Sequence, residues 1–204
     1  MTVAVRCETR DGLPFVRALR SSARWLLAER GLEDWELSLV LVNDAQIRVL
    51  NRKFRRKDRA TDVLSFPQLD AAAAARLRRR TPPKPSRTEA AKRSFEPAQR
   101  LLGDVVISVA TARRQAQAAD ITPAQRIRTL LVHGCLHLLG YDHERSAAQA
   151  RAMRAEERRL IAGLETVRLG LRKARRHAAP SGLVTKTPLL PHWPSRPHRE
   201  PHAA

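Results

Sequence analysis

Of the seven histidines in the chain, three fall within eleven residues, in the segment H-G-C-L-H-L-L-G-Y-D-H from His133 to His143. His133 and His137 are four residues apart, so on a helix they leave the same face one turn apart. That is the placement two imidazoles need to share one ion at about 2.0–2.1 Å. Gly140 can adopt the left-handed conformation that ends a helix, after which the chain turns back and His143 approaches as a third ligand. Three protein ligands with one open position are the arrangement of a catalytic zinc rather than a structural one. Leu130, Leu131, Val132, Leu136, Leu138 and Leu139 surround the pair, and burying imidazoles among them without a partner would be costly. Cys135 lies two residues from each histidine, points to another face, and reads as core. One Zn2+ ion is therefore expected, although three imidazoles also suit nickel or copper.

The spacing H-x3-H-x5-H, with glycine seven residues after the first histidine, is shared with the metzincin proteases. Those enzymes carry glutamate directly after the first histidine as the base for peptide hydrolysis. Here that position is Gly134, so the metal-binding spacing survives without the protease's base. Asp104, at the start of a strand, and Asp142, beside the last ligand, are candidates to accept a proton from a ligand imidazole and so orient it; the alternatives are that Asp142 ends the helix turn and Asp104 satisfies backbone groups. Arg55 stands in a basic run with Arg52, Lys53, Arg56, Lys57 and Arg59, and by itself reads as one cation of a surface loop.

The elements that must carry these side chains follow from periodicity and caps. Thr2 to Glu8 alternates as an edge strand, and Pro14 to Arg30 reads as an amphipathic helix stopped by Gly31. Glu36 to Val42 is a strand with Leu37, Leu39 and Leu41 on one face, and Asn43 or Asp44 caps a helix to about Phe54. Short strands are expected at Thr61–Phe66 and Val105–Val109, and a helix at Thr111–Ala119. Thr122-Pro123 opens the histidine helix, which reaches Leu139. Ser146 caps a last helix to about Ala162. This order predicts an α/β (α+β) fold, a small mixed β-sheet of about four strands packed with about five helices. Residues 1–163 form one domain, interrupted by an insert at about 70–100 whose Ala71–Arg80 part can form an exposed helix. Residues 164–204 read as a poorly ordered tail.

The formal net charge is +19, from 39 Lys and Arg against 20 Asp and Glu. The insert and the tail carry +12 of it and ten of the 13 prolines, leaving a mildly basic core. Such a balance favours polyanionic partners held through phosphates in a salt-dependent way. The longest uncharged run, between Arg128 and Asp142, has 13 residues, too short to span a bilayer. No basic-then-apolar leader opens the chain, and Cys7 and Cys135 form no CxxC pair, which predicts a cytoplasmic setting.

The segment His133–His143 resembles the signature of the YbeY family, bacterial endoribonucleases of rRNA maturation. Two further segments resemble the same family. Arg55–Pro67, R-R-K-D-R-A-T-D-V-L-S-F-P, is similar to its R-G-K-D-x-P-T-D-V-L-S-F-P loop and strand, and Leu102–Ser108, L-G-D-V-V-I-S, to its L-G-D-[IL]-x-I-[SC] strand. The resemblance covers roughly residues 1–163 apart from the insert. It implies metal-dependent cleavage of single-stranded RNA, in 16S rRNA 3′-end maturation and ribosome quality control, with rRNA and ribosomal particles as partners. It implies zinc ligation by His133, His137 and His143, and a functional role for Arg55, whose planar fork suits the charge gathering on phosphodiester oxygens. The family's glycine after that arginine is Arg56 here, and its proline is Ala60. Either hydroxide or the RNA 2′-hydroxyl serves as nucleophile. Two other classes share these residues: a non-catalytic ribosome-assembly factor with a structural zinc, and a zinc hydrolase of another substrate.

Overall fold

The structure, a computed structural model, describes residues 2–79 and 100–177, the last ten of them by backbone alone. A four-stranded mixed sheet runs in the order β1-β2-β4-β3. Strands β1 (Thr2–Cys7), β2 (Glu36–Val42) and β4 (Leu101–Ser108) are parallel, and β3 (Val63–Pro67) pairs antiparallel with β4 along the far edge. Around the sheet are α1 (Val16–Glu29), α2 (Asp44–Arg55), α3 (Ala71–Arg79), α4 (Val109–Ala118), α5 (Pro123–Leu138) and α6 (Ala147–His177). The mixed α/β architecture and its four strands are those the sequence predicts, with α3 as a sixth helix.

Alternation along the strands builds two unequal cores. Leu37, Leu39 and Leu41 of β2 and Val105 and Ile107 of β4 face a large cluster with Leu19 and Leu26 of α1, Leu131 of α5 and Leu160 of α6. The opposite face holds a smaller one, Val42, Ile47, Leu64 and Val106, covered by α2. Gly103 has φ 138°, and any side chain there would collide with the Phe66 carbonyl on β3, so this close strand crossing requires glycine.

Several boundaries differ from expectation, each for a local reason. Pro14 lies in a 3-10 turn (Arg10–Phe15), and α1 proper begins at Val16. β4 begins at Leu101 because its register with β2 starts at Glu36. Val109 opens α4 rather than ending the strand, since Ser108 caps the helix by accepting from the Thr111 N–H at 3.3 Å. The helix α3 is not wholly exposed: Ala74 is buried and Leu77 packs on the main core. The last helix continues past Ala162 to His177, so the start of the expected tail is helical. The remainder of the insert (80–99) and of the tail (178–204) lies outside the described residues.

Asp62, just before β3, ties that edge strand to the helices behind it. Its carboxylate accepts from Gln115 of α4 (3.1 Å), Arg126 of α5 (3.2 Å) and the Val63 N–H (2.9 Å). Burial raises the carboxyl's pKa, but these hydrogen bonds and the Arg126 charge outweigh it and hold it below the usual value. Asp62→Asn is expected to cost about 1–2 kcal/mol at pH 7. A depressed folded-state pKa gives stability that is present above the unfolded value and lost as pH falls through the folded one. Urea midpoints of the two proteins should therefore differ at neutral pH and converge on acidification below about pH 4.

Candidate active site

The helix α5 starts at a reciprocal cap in which the Thr122 hydroxyl accepts from the Gln125 N–H and the Gln125 side chain accepts from the Thr122 N–H. Its last two turns present His133 and His137 on one face. The helix ends where the Gly140 N–H donates to the His137 carbonyl at 2.9 Å and the Tyr141 N–H to the Leu136 carbonyl at 3.0 Å, with Gly140 at φ 75°. This left-handed stop swings residues 141–143 back over the helix end and brings His143 to the other two. The ring centroids lie 4.7, 5.5 and 5.2 Å apart, and one ligand nitrogen from each falls within 4.8 Å of the others.

The donor set fits a metal ion. His133 Nε2 and His137 Nε2 are 3.1 Å apart, close to the roughly 3.3 Å between two ligands of one tetrahedral ion bound at about 2.05 Å. Burial, with the neighbouring His133 and His143, pushes the His137 pKa down to about 4 against the opposing charge of Asp142. At neutral pH that ring is uncharged, the form that ligates a metal. Cys135 takes no part: it is fully buried, and burial alone pushes its thiol up to about 12.

The position after the first histidine is closed to any side chain. A Cβ on Gly134 would stand 2.6 Å from Val105 Cγ1 and 3.1 Å from Ser65 Oγ, and the Ser65 hydroxyl donates to the Gly134 carbonyl at 3.2 Å. The glycine that removes a protease's base is thus the contact on which α5 lies against β3 and β4.

The histidines open onto a cleft of about 810 Å³ between the end of α2, the edge strand β3, α3 and the turn after α5. Arg55, the last residue of α2, lines it, and Arg55 Nη2 lies 3.7 Å from Glu144 Oε1, on the residue after the third histidine. Both side chains are more than half exposed, so the pair is weak and the guanidinium can exchange it for a phosphate. Arg56 does enter the left-handed region (φ 57°, ψ 28°) as the C-cap of α2. Its strain is offset by hydrogen bonds from the Arg56 N–H to Arg52 O (3.2 Å) and from the Lys57 N–H to Asn51 O (3.3 Å). The following loop is pinned to α2 by a two-pronged Arg48–Asp58 pair and by Asn51 Nδ2 donating to Arg59 O at 2.8 Å. Arginine therefore takes up the left-handed conformation that a glycine would adopt there at less cost.

The two expected orienting carboxylates fare differently. Asp142 lines the cleft, but its oxygens serve the turn, accepting from the Glu144 N–H (2.8 Å) and pairing with Arg145 (3.2 Å). Asp104 is not at the site. Because Val105 packs on Gly134, strand alternation turns Asp104 to the other face, where it lines a separate cavity of about 240 Å³ with Glu36 and Ser38. The carboxylate beside a site imidazole is instead Glu157 of α6, whose Oε1 lies 3.4 Å from His133 Nδ1. Sequence reasoning missed it because nothing in a run of two glutamates tells which one faces α5. Glu156 turns to Arg30 (2.7 Å) and Arg159 (3.0 Å).

The fold and this cluster define an α/β domain with a three-histidine site of the kind that can hold a metal ion at the edge of a sheet. The family model described as "Endoribonuclease YbeY" matches residues 15–165. An endoribonuclease YbeY of Anaeromyxobacter dehalogenans is 42% identical over 176 residues, 86% of this chain and 78% of that protein. One of Geobacter metallireducens is 40% identical, over 72% of this chain and 85% of its own. The chain belongs to the YbeY endoribonuclease family. The solution structure of TM1509 from Thermotoga maritima shares the fold at 18% identity with a TM-score of 0.52, over 91% of this chain and 100% of that one.

Two substitutions test the geometry. Gly134→Ala should lower stability by about 1–3 kcal/mol, read as a fall in the denaturant midpoint, because neither Val105 nor the Ser65 hydroxyl can retreat without loosening the sheet edge. Glu157→Gln keeps the shape but loses the charge facing His133 Nδ1, and should weaken metal affinity roughly ten-fold or more in a competition titration against a chromophoric chelator.

Proposed function

We propose that this chain is a single-strand-specific, metal-dependent endoribonuclease. We place its action in the cytoplasm, in 16S rRNA 3′-end maturation and ribosome quality control, with one zinc ion held by His133, His137 and His143. The observation that carries this reading is the convergence of three imidazoles on a cleft whose facing wall presents Arg55, in a chain of the YbeY family. Among the described residues no helix is long and apolar enough to cross a membrane, in keeping with RNA and ribosomal particles as partners. When bound, the ion supplies Lewis acidity toward a phosphodiester oxygen.

The chain's own residues do the rest. Lys57, Arg59 and Arg78 line the cleft with Arg55 and hold the phosphate backbone without reading sequence. Arg55 meets the charge that builds on the non-bridging oxygens during displacement. Glu157 holds the His133 ring by its far nitrogen, and the Gly134 contact keeps the whole helix face in register with the cleft. Peptide hydrolysis is disfavoured because the position of its usual base is occupied by packing.

The test uses purified full-length chain and single-stranded RNA. Cleavage should stop on addition of a chelator and return with zinc, and His137→Ala should lose both metal and activity. Arg55→Glu should lose at least about a hundred-fold in rate while keeping one metal ion per chain by elemental analysis. Cleavage that survives both chelation and His137→Ala sinks the metal-nuclease reading. RNA bound tightly but left intact in every lane points to an assembly factor instead.

A further inference from the structure

Phe54 is the one exposed Phe, Trp or Tyr side chain among the described residues, at 54%. Phe15, Trp25, Trp35, Phe66 and Tyr141 are all partly buried against one core or the other. Phe54 sits in the last turn of α2, immediately before Arg55, and lines the same cleft as the three histidines. Its ring is held rather than loose. Phe66 of β3 meets it edge-on, with centroids 5.0 Å apart and planes at 70°, and Phe66 is itself packed on the smaller core beneath α2. Lys53 Nζ lies 5.2 Å from the Phe54 centroid, and Lys57 and Arg59 stand along the same wall. A phenyl ring fixed by its neighbour, left open to solvent and bordered by cations is the combination that single-stranded nucleic acid uses: stacking for the base, charge for the phosphates.

We propose that Phe54 is a stacking platform for one base of the RNA strand in this cleft, and so a source of its preference for single strands. The inference rests on the ribonuclease reading and extends it. An unpaired base presents a free π-face, whereas the bases of a duplex are already stacked on one another and have none to offer. On binding, the base covers the Phe54 ring and the Lys53 ammonium, held there only weakly, moves to a neighbouring phosphate. Because every base has such a face, the platform confers strand selectivity with little sequence preference.

The test compares the metal-loaded wild-type chain with Phe54→Ala and Phe54→Trp on a single-stranded RNA and on the same strand carrying abasic positions across the cleft's reach. Stacking predicts that Phe54→Ala raises KM roughly five- to a hundred-fold with kcat nearly unchanged, and that Phe54→Trp keeps wild-type KM. It also predicts that on the abasic strand wild type and Phe54→Ala become alike, and that the salt dependence of binding keeps its slope, since no phosphate contact is lost. Equal KM values for wild type and Phe54→Ala on the intact strand overturn the proposal. So does a loss of the same size on both strands, which would mark Phe54 as a support for the Arg55 loop. A wild-type chain that neither binds nor cleaves any RNA overturns the ribonuclease reading itself, an outcome distinguishable from the others before any variant is made.

Discussion

The helix that carries two of the three histidines lies where it does because residue 134 has no side chain. With Val105 Cγ1 only 2.6 Å from where a Cβ would stand, and the Gly134 carbonyl accepting from Ser65, backbone meets sheet at van der Waals range. A helix held this close to β3 and β4 sets its own rotation. One face is committed to Val105 and the sheet edge, and the face carrying His133 and His137 is turned to the cleft. A larger residue would push the helix out and turn it, moving both imidazoles relative to Arg55, which lines the same cleft from α2. Interiors packed at near-crystalline density transmit such displacements rather than absorb them.

The third histidine depends on a different element, the helix α3 from within the predicted insert. Arg78 of α3 donates to the Gly140 carbonyl at 3.1 Å and lies over the Tyr141 ring at 5.6 Å. Ala74 stands 3.1 Å from where a Gly140 Cβ would be. Glycine at 140 thus answers two demands, a positive φ and close passage of a second helix. Arg30 links α3 to the far side of the domain, donating to the Arg78 carbonyl at 3.1 Å and pairing with Glu156 of α6 at 2.7 Å. The turn that aims His143 is therefore braced through α3 to α1 and α6, the helices of the main core. A segment that reads as an appendage by composition is structurally a wall of the site.

What was legible in the sequence was what is local. Helix starts at Asn43, Thr122 and Ser146 are written in side chains that satisfy the N–H group three residues on, and the left-handed stop at Gly140 follows from glycine alone. The two-residue alternation of β2 assigned its core face correctly, because burial on one face leaves no other register. Contacts between elements distant in sequence were not legible. Asp104 was a candidate partner of the metal ligands from its place at the start of a strand, yet strand alternation around Val105 sends it to the opposite face. Glu157 could not be picked from Glu156 because the choice depends on how α6 crosses α5. The exposure of Phe54 was equally hidden, since helical periodicity does not tell that the ring meets Phe66 of β3 edge-on and otherwise faces solvent.

Charge explains how such a site coexists with a chain of +19. Within the described domain many cations are committed to partners: Arg126 to Asp62, Arg128 to Glu165, Arg30 to Glu156, and Arg114 to Asp44. These pairs fasten helix to helix or helix to strand. The cleft differs from these fastened pairs. Its Arg55–Glu144 contact is long and exposed, and Lys57, Arg59 and Arg78 stand along its walls. A polyanion approaching the cleft therefore meets cations whose contacts it can exchange for its phosphates. The histidines need not attract the substrate. They have only to lie where the backbone is already held, which is the service the Gly134 contact performs for them.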